Sequence, residues 1–272
     1  MVLLAAATSS CGTRAATPDD GHPAAGDSGG SPAPDLSPVV RLGFDDARLQ
    51  GDRVITHNDA STQVQVRVLT AGKGSVSVVP GSGGGRGLRF PDVSRSATPP
   101  RAVLAVTTKE SVDRVNRLSP GHHDFEFGAR FLLDPASEIG QKDNGNNLVQ
   151  RGLGDDLSQY KLQVDHRRVS CRIAGDLGGV EPKSKMAVDA GHWYSATCAR
   201  VGRTVTLSVR RLDNRQLDRV TVRGDTGSVT ASGSTPLAVG GKVTDRGEVI
   251  RLNSDQFNGS VDDVFLEIAA DD

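Results

Sequence analysis

The sequence predicts an all-β fold, a two-sheet antiparallel sandwich preceded by a disordered N-terminal tail. Three observations predict it. Apolar residues recur with period two in many short runs, the mark of strands with one buried face. Turn formers punctuate these runs, with 32 Gly and 13 Pro among 272 residues. No long segment shows the 3.6-residue period of an amphipathic helix.

The chain opens on Val2–Ala7, a short apolar stretch followed by small residues and Cys11, which reads as the end of a secretory signal. Thr8-Ser9-Ser10-Cys11-Gly12 resembles a bacterial lipobox, in which the cysteine is lipidated and becomes the mature N-terminus. Thr8 stands where that motif prefers Leu, and no basic residue precedes the apolar run. Three readings stand for residues 1–12, in order of preference: a lipoprotein signal, a cleaved signal with an incidental cysteine, or no signal. Residues 13–38 are mostly Pro, Ala, Gly, Ser and Asp, with Leu36 as the one large apolar side chain. Such a stretch buries too little surface to offset its ordering entropy, so it reads as a disordered tether.

The globular domain is placed at residues 39–272. Val40, Leu42 and Phe44 alternate, as do Val64, Val66 and Val68, then Val76 and Val78. Gly81–Gly87 is a glycine-rich connection that matches no phosphate-binding motif. Leu88 and Phe90 begin a further strand, and Ala102–Thr107 is apolar. Glu110–Leu118 reads either as a helical turn or as an extended loop. Phe125, Phe127, Ala129 and Phe131 form the clearest strand, with the phenylalanines worth roughly 1.5–3 kcal/mol each when buried. Asp134–Asn147 is polar, and its Asn144-Gly145 favours a tight turn. Tyr160, Leu162 and Val164 share one face, Val169, Cys171 and Ile173 another, and Asp165–Arg168 is short enough for a hairpin connection. Trp193–Arg200 is a third strand of this central group. Val205, Leu207 and Val209, then Arg219–Val222 and Pro236–Val239, supply the later strands.

Cys171 and Cys198 each sit mid-strand, so either a disulfide joins neighbouring strands or two free thiols are buried. An oxidising compartment favours the bridge. Its 27-residue loop would make it worth roughly 3–4 kcal/mol in the chain-entropy model. Cys-x-x-Cys spacing is absent, which argues against zinc.

The blocks NLVQRG, QYKLQVD, VSCRI and GHWYSATC are similar to the central strands of bacterial laminin-G-like domains, of the concanavalin A-like lectin/glucanase superfamily. Val39–Asp46 resembles the family's first strand, and Phe257–Ile268, FNGSVDDVFLEI, resembles its terminal strand. The resemblance implies a two-sheet antiparallel jelly roll and a binding module. It also implies that Trp193 belongs to the core rather than to a sugar platform. Tyr160 follows Leu162 inward by the same logic. The first and last strands of such domains are neighbours. That would bring Asp45, Asp46, Asp262 and Asp263 together, either as a Ca²⁺ site with Asp45 and Asp262 as ligands or as aspartates capping turns.

Function classes narrow accordingly. With 32 basic and 33 acidic residues and no run of like charge, the chain lacks the basic footprint of a nucleic-acid binder or a polybasic membrane patch. A membrane would be reached only through a lipid on Cys11. A glycosidase needs two carboxylates flanking the scissile bond. Enzymes of the superfamily commonly carry them as E-x-D-x-x-E, which is absent here, and Glu126 reads as a solvated outward residue. His122 and His123 are adjacent and would point to opposite faces of a strand, so they and His192 read as loop histidines. Asn258-Gly259-Ser260 fits a glycosylation sequon, whose use a bacterial lipoprotein start argues against. The expectation is a monomeric, non-catalytic module outside the bacterial membrane that binds a glycan or a protein. Its contacts would lie on the rim loops Gly81–Gly87, Asp134–Asn147 and Gly224–Ser234. A polysaccharide-degrading enzyme and a structural envelope spacer are the alternatives.

Overall fold

A computed structural model describes residues 35–108, 116–138, 145–252 and 255–270. Cys11, the segment 1–12, most of the tether and residues 139–144 of the polar run lie outside the described residues. So does most of the Glu110–Leu118 stretch.

The described residues form two antiparallel sheets. The first runs β16 (Leu217–Arg223), β15 (Thr204–Arg211), β14 (Trp193–Val201), β8 (Phe125–Leu133), β18 (Gly259–Ala269), β6 (Arg86–Arg89) and β5 (Ser77–Pro80). β1 (Leu36–Leu42) also pairs with β18 in this sheet. The second runs β12 (Gly178–Val180), β11 (Arg168–Gly175), β10 (Gln159–Asp165), β9 (Asn146–Arg151) and β17 (Leu237–Val239). It continues through β7 (Arg101–Thr108), β4 (Val64–Ala71), β3 (Arg53–Ile55) and β2 (Arg48–Gln50), with β13 (Lys183–Ala187) beside β11. This is the jelly-roll sandwich that the sequence led us to expect.

Period two fills the space between the sheets. Phe125, Phe127 and Phe131 on β8 meet Tyr160 on β10 and Tyr194 on β14, with ring centroids 5.0–5.7 Å apart across the Phe127–Tyr160, Phe131–Tyr194 and Phe125–Tyr160 pairs. Val205, Leu207 and Val209 complete the inner row of β15. The β10–β11 hairpin turns on His166 and Arg167, both at positive φ (49° and 60°), as a two-residue turn between right-twisting strands requires.

Four expectations change. β1 begins at Leu36, inside the stretch assigned to the tether, because Leu36–Pro38 pair with Ala269–Glu267 of β18. Asn146 and Asn147 belong to β9 rather than to a loop, and both are buried. Trp193 is not core. It shares the outer face of β14, while Tyr194, Ala196 and Cys198 point inward. The interval from Cys198 to Trp193 is odd, and an inward cysteine therefore puts the tryptophan outside.

The fourth concerns the disulfide. Cys171 and Cys198 are bonded, but on strands of different sheets: β11 lies in one and β14 in the other. Their Cα atoms are 6.1 Å apart, against the roughly 10 Å usual between packed sheets. The bridge therefore clasps the two sheets face to face at a point of close approach.

Candidate functional site

Two buried arginines organise one end of the sandwich. Arg151 ends the inward row of β9, opposite Tyr160, and Arg200 ends the inward row of β14, after Cys198. Both are almost fully buried, at 1% and 3% exposure. The Arg151 guanidinium donates from Nε to Thr235 O (2.9 Å), from Nη2 to Ser232 O (3.0 Å) and from Nη1 to the Ser119 hydroxyl. Arg200 donates to Thr226 Oγ1 (3.1 Å), Gly227 O (3.0 Å), Gly121 O (2.9 Å) and His123 O, and lies over the Phe125 ring at 4.9 Å. Neither makes an ion pair among the described residues, and burial lowers the pKa of each below the usual arginine value. A guanidinium with up to five donors is suited to satisfying several backbone carbonyls that no strand partner reaches.

The segment held in this way, Gly224–Thr235, is knitted to two neighbouring turns. Asp176 N and Leu177 N donate to Ser228 O and Thr226 O at 3.2 and 3.3 Å. Ser228 N donates to Asp176 Oδ1 (2.7 Å), and Thr230 N to Ser158 Oγ (3.1 Å). Backbones approach so closely here that a Cβ at Gly175 would stand 2.3 Å from Ser228 O. The result is one rim built from the 152–158 turn, the 176–178 turn and Gly224–Thr235. Leu157 and Leu177 project from it, 85% and 69% exposed. Gly224–Ser234 was expected to be a rim loop. The arginines and leucines were missed. The signal for the arginines was present, since each continues an inward period-two row, where charge is unusual.

The opposite part of the domain holds the four aspartates. β18 carries a bulge between Asp262 and Phe265, where its partner changes from β6 to β1. Asp262 Oδ2 accepts from Ser82 N (2.9 Å) and Ser82 Oγ (2.8 Å), and Asp45 Oδ1 accepts from Arg86 N (3.1 Å). Both carboxylates thus reach the Gly81–Gly87 loop and tie down its two ends. Asp46 accepts instead from Thr56 Oγ1 and His57 N, which hold its pKa below the usual carboxylate value, and Asp263 pairs with Arg130 at 3.1 Å. Only the first and third of the set therefore converge. Among the described residues no group of three or more His, Cys, Asp and Glu is arranged to hold a metal ion.

Other candidates have plain structural roles. His122 and His123 are exposed in a turn, and His192 pairs with Asp213 at 2.8 Å. Arg89, beside a cleft of about 350 Å³ between Lys73–Ser77 and Arg89–Ser94, is bound to Asp134 and Asp92. Glu126 does face outward, directly across from Glu267, which in turn pairs with Arg41 at 2.5 Å. Burial first, and the Glu267 charge second, push the Glu126 carboxyl above its usual pKa, while Arg41 pulls it back. An acid with a raised folded-state pKa supports the fold most below its unfolded pKa, and that support is lost as pH rises through the folded value. Glu126→Gln is expected to stabilise the domain by about 0.5 kcal/mol at pH 7.5. The gain should vanish once the pH falls below the carboxylate range. Urea midpoints at the two pH values check this, and a gain independent of pH would assign the effect to packing.

No family model matches the chain, and no curated protein matches it in sequence. Solved structures do resemble it. The binding domain of Paraclostridial Mosquitocidal Protein 1 aligns at 13% identity and a TM-score of 0.55, over 87% of this chain and 50% of that one. The botulinum neurotoxin serotype D binding domain aligns at 9% identity and a TM-score of 0.53, over 86% of this chain and 48% of that one. The LG1-3 region of the laminin alpha2 chain aligns more loosely, at 12% identity and a TM-score of 0.45, over 81% of this chain and 54% of that one. The chain spans about half the length of the solved domains it matches. At these identities the likeness establishes the fold alone, a two-sheet antiparallel jelly-roll sandwich.

Proposed function

We propose that this domain is a non-catalytic binding module, working outside a bacterial membrane and taking a glycan or a protein at the rim of Leu153–Ser158, Asp176–Gly178 and Gly224–Thr235. The observation that carries the reading is the preorganised rim itself. Buried arginines hold loop backbone rigid while two leucines project into solvent. A binding surface held rigid before contact loses less entropy on association. The disulfide suits an oxidising compartment, and no helix among the described residues is long and apolar enough to cross a membrane. Solved domains of this fold are named as binding domains, which is an analogy of fold and favours the same reading. In this reading Cys11 supplies the lipid anchor.

The test is a glycan array probed with the full chain, together with Leu157→Ser/Leu177→Ser. Specific binding that drops at least tenfold in the double variant, at unchanged melting temperature, is the expected result. Undiminished binding would move the site off the rim, and release of new reducing ends from a bound glycan would replace the module with an enzyme. The array is run with calcium and with chelator, because Asp45 and Asp262 each bind loop donors through one oxygen among the described residues. Loss of binding on chelation would assign them a cation.

A further inference from the structure

The outer face of the eight-stranded sheet carries a one-sided charge at its β14–β15–β16 end. Val205, Leu207 and Val209 point into the core, so Thr204, Thr206, Ser208 and Arg210 stand on the opposite face of β15. Cross-strand pairing sets Arg219 beside Ser208 and Arg223 beside Thr204 on β16, and Ser195 beside Arg210 on β14. Arg210, Arg219 and Arg223 are exposed. None of them makes an ion pair among the described residues, and Arg219 donates to the Ser208 hydroxyl at 3.2 Å.

No carboxylate occupies an outward position on these three strands. Asp218 points the other way, where it accepts from Ser184 Oγ (2.7 Å) and Lys185 N (2.6 Å) of β13. Asp213, in the β15–β16 turn, is taken by Arg211 and His192. The acids of this face, Glu126 and Glu267, lie across it on β8 and β18. The three cations are therefore unmatched.

Edge protection does not account for them all. β16 is the last strand of its sheet, and sheet edges are commonly blunted with charge. That explains Arg219 and Arg223 but not Arg210, whose strand is paired on both sides. The same face also carries Trp193, two residues before Ser195, half-buried and with no ring contact among the described residues. Between the tryptophan and the arginines stand Ser195, Thr197, Thr206 and Ser208, so the large side chains rise from a low floor of hydroxyls. Alternate residues lie about 6.8 Å apart along a strand and adjacent strands about 4.8 Å apart. The backbones of Arg210 and Arg219 are thus about 8 Å apart, and Arg223 is about 14 Å from Arg219 along β16.

We propose that this face binds an acidic polysaccharide, with Arg210, Arg219 and Arg223 receiving its carboxylates or sulfates and Trp193 receiving the face of a sugar ring. The guanidinium fork matches such oxyanions with two parallel hydrogen bonds. The serine and threonine hydroxyls both donate and accept, as sugar hydroxyls require. A single strand of nucleic acid stacks successive bases on several rings, and this face offers one. A second copy is disfavoured, because antiparallel pairing of two β16 strands about Thr221 would set Arg219 against Arg223. The face adjoins the rim at Arg223 but uses neither of its leucines, and the inference does not rest on the rim reading.

The experiment is calorimetric titration of the full chain with two pairs of probes, dextran sulfate with dextran and tetragalacturonate with its methyl ester. The expected result is that at least one acidic member binds at least tenfold more tightly than its neutral partner. Arg210→Gln/Arg219→Gln/Arg223→Gln should weaken that acid at least tenfold, while the triple lysine variant keeps part of the preference. Trp193→Ala should weaken the acid at least threefold with the charge unchanged. Removing three exposed arginines elsewhere, Arg48→Gln/Arg53→Gln/Arg95→Gln, should change it less than threefold. Melting curves confirm that each variant folds, and the lysine variant keeps the comparison open if the glutamine variant does not. The proposal is overturned if neither acid is preferred, or if the control triple weakens binding as much as the Arg210, Arg219 and Arg223 triple. Tighter binding of oligo-dT or polyglutamate, lost in that same triple, would replace the saccharide with nucleic acid or an acidic protein. An acid lost in Leu157→Ser/Leu177→Ser but kept in the arginine triple would overturn this face and assign the sugar to the rim. A neutral glycan lost in the leucine variant, with no acid preferred, would overturn this face and leave the rim reading in place.

Discussion

Arg200→Met is expected to lower the unfolding free energy by about 3–5 kcal/mol and to loosen the rim around Gly224–Thr235. Methionine restores most of the buried volume but none of the donors. Thr226 Oγ1 and the carbonyls of Gly121, His123 and Gly227 would lose their partner together. Each buried polar group left unsatisfied costs roughly 1–3 kcal/mol, reduced where water enters. The contact with the Phe125 ring is lost as well. Denaturant unfolding measures the stability. Amide hydrogen exchange measures the loosening, which should be strongest at Gly121 and Val229, whose backbone groups bond each other at 2.9–3.0 Å. Arg151→Met should act on the same rim through Ser232 and Thr235, with a smaller loss because it satisfies fewer groups. If Arg200→Met costs less than about 1 kcal/mol, water is satisfying these carbonyls and the arginine is not the organiser of the rim.

Reducing the disulfide is the second large effect. Opening the 27-residue loop between Cys171 and Cys198 should lower stability by about 3–4 kcal/mol, because the unfolded chain regains the freedom the bridge removes. Cys171→Ala/Cys198→Ala should show the same loss plus a small cavity cost, since both positions are fully buried. The bridge joins two sheets rather than two neighbouring strands. Reduction should therefore raise exchange on β11 and β14 together, at opposite faces of the core, while the β10–β11 hairpin register survives. Unfolding curves with and without reductant test the magnitude. A loss confined to one sheet would contradict the cross-sheet role.

The local layer of this fold was legible residue by residue. Phe125, Phe127 and Phe131, Tyr160 with Leu162 and Val164, and Val205 with Leu207 and Val209 all take the inward positions that period two assigned them. The hairpin at Asp165–Arg168 closes in register, with Asp165 facing Arg168. The candidate sites were less legible. Asp45 and Asp262 do reach the same loop, as the pairing of first and last strands implied, but the bulge in β18 turns Asp263 to Arg130 instead. The tryptophan, judged from its place in a resemblance, went to the wrong face. Alternation counted from Cys198 would have placed it outside.

What the sequence determined by itself is which residues share a face, because the pleat alternates side chains without regard to what lies across the sheet. It could not determine which strands are neighbours or which sheet each one joins. Those choices depend on pairings between residues far apart in the chain, such as β1 with β18 and β9 with β17. Only the tertiary structure put Cys171 and Cys198 in opposite sheets and brought Arg151 and Arg200 to the same end of the core. Each of these is a juxtaposition made by strand order, and strand order is settled by the burial of the whole core rather than by any one run of residues.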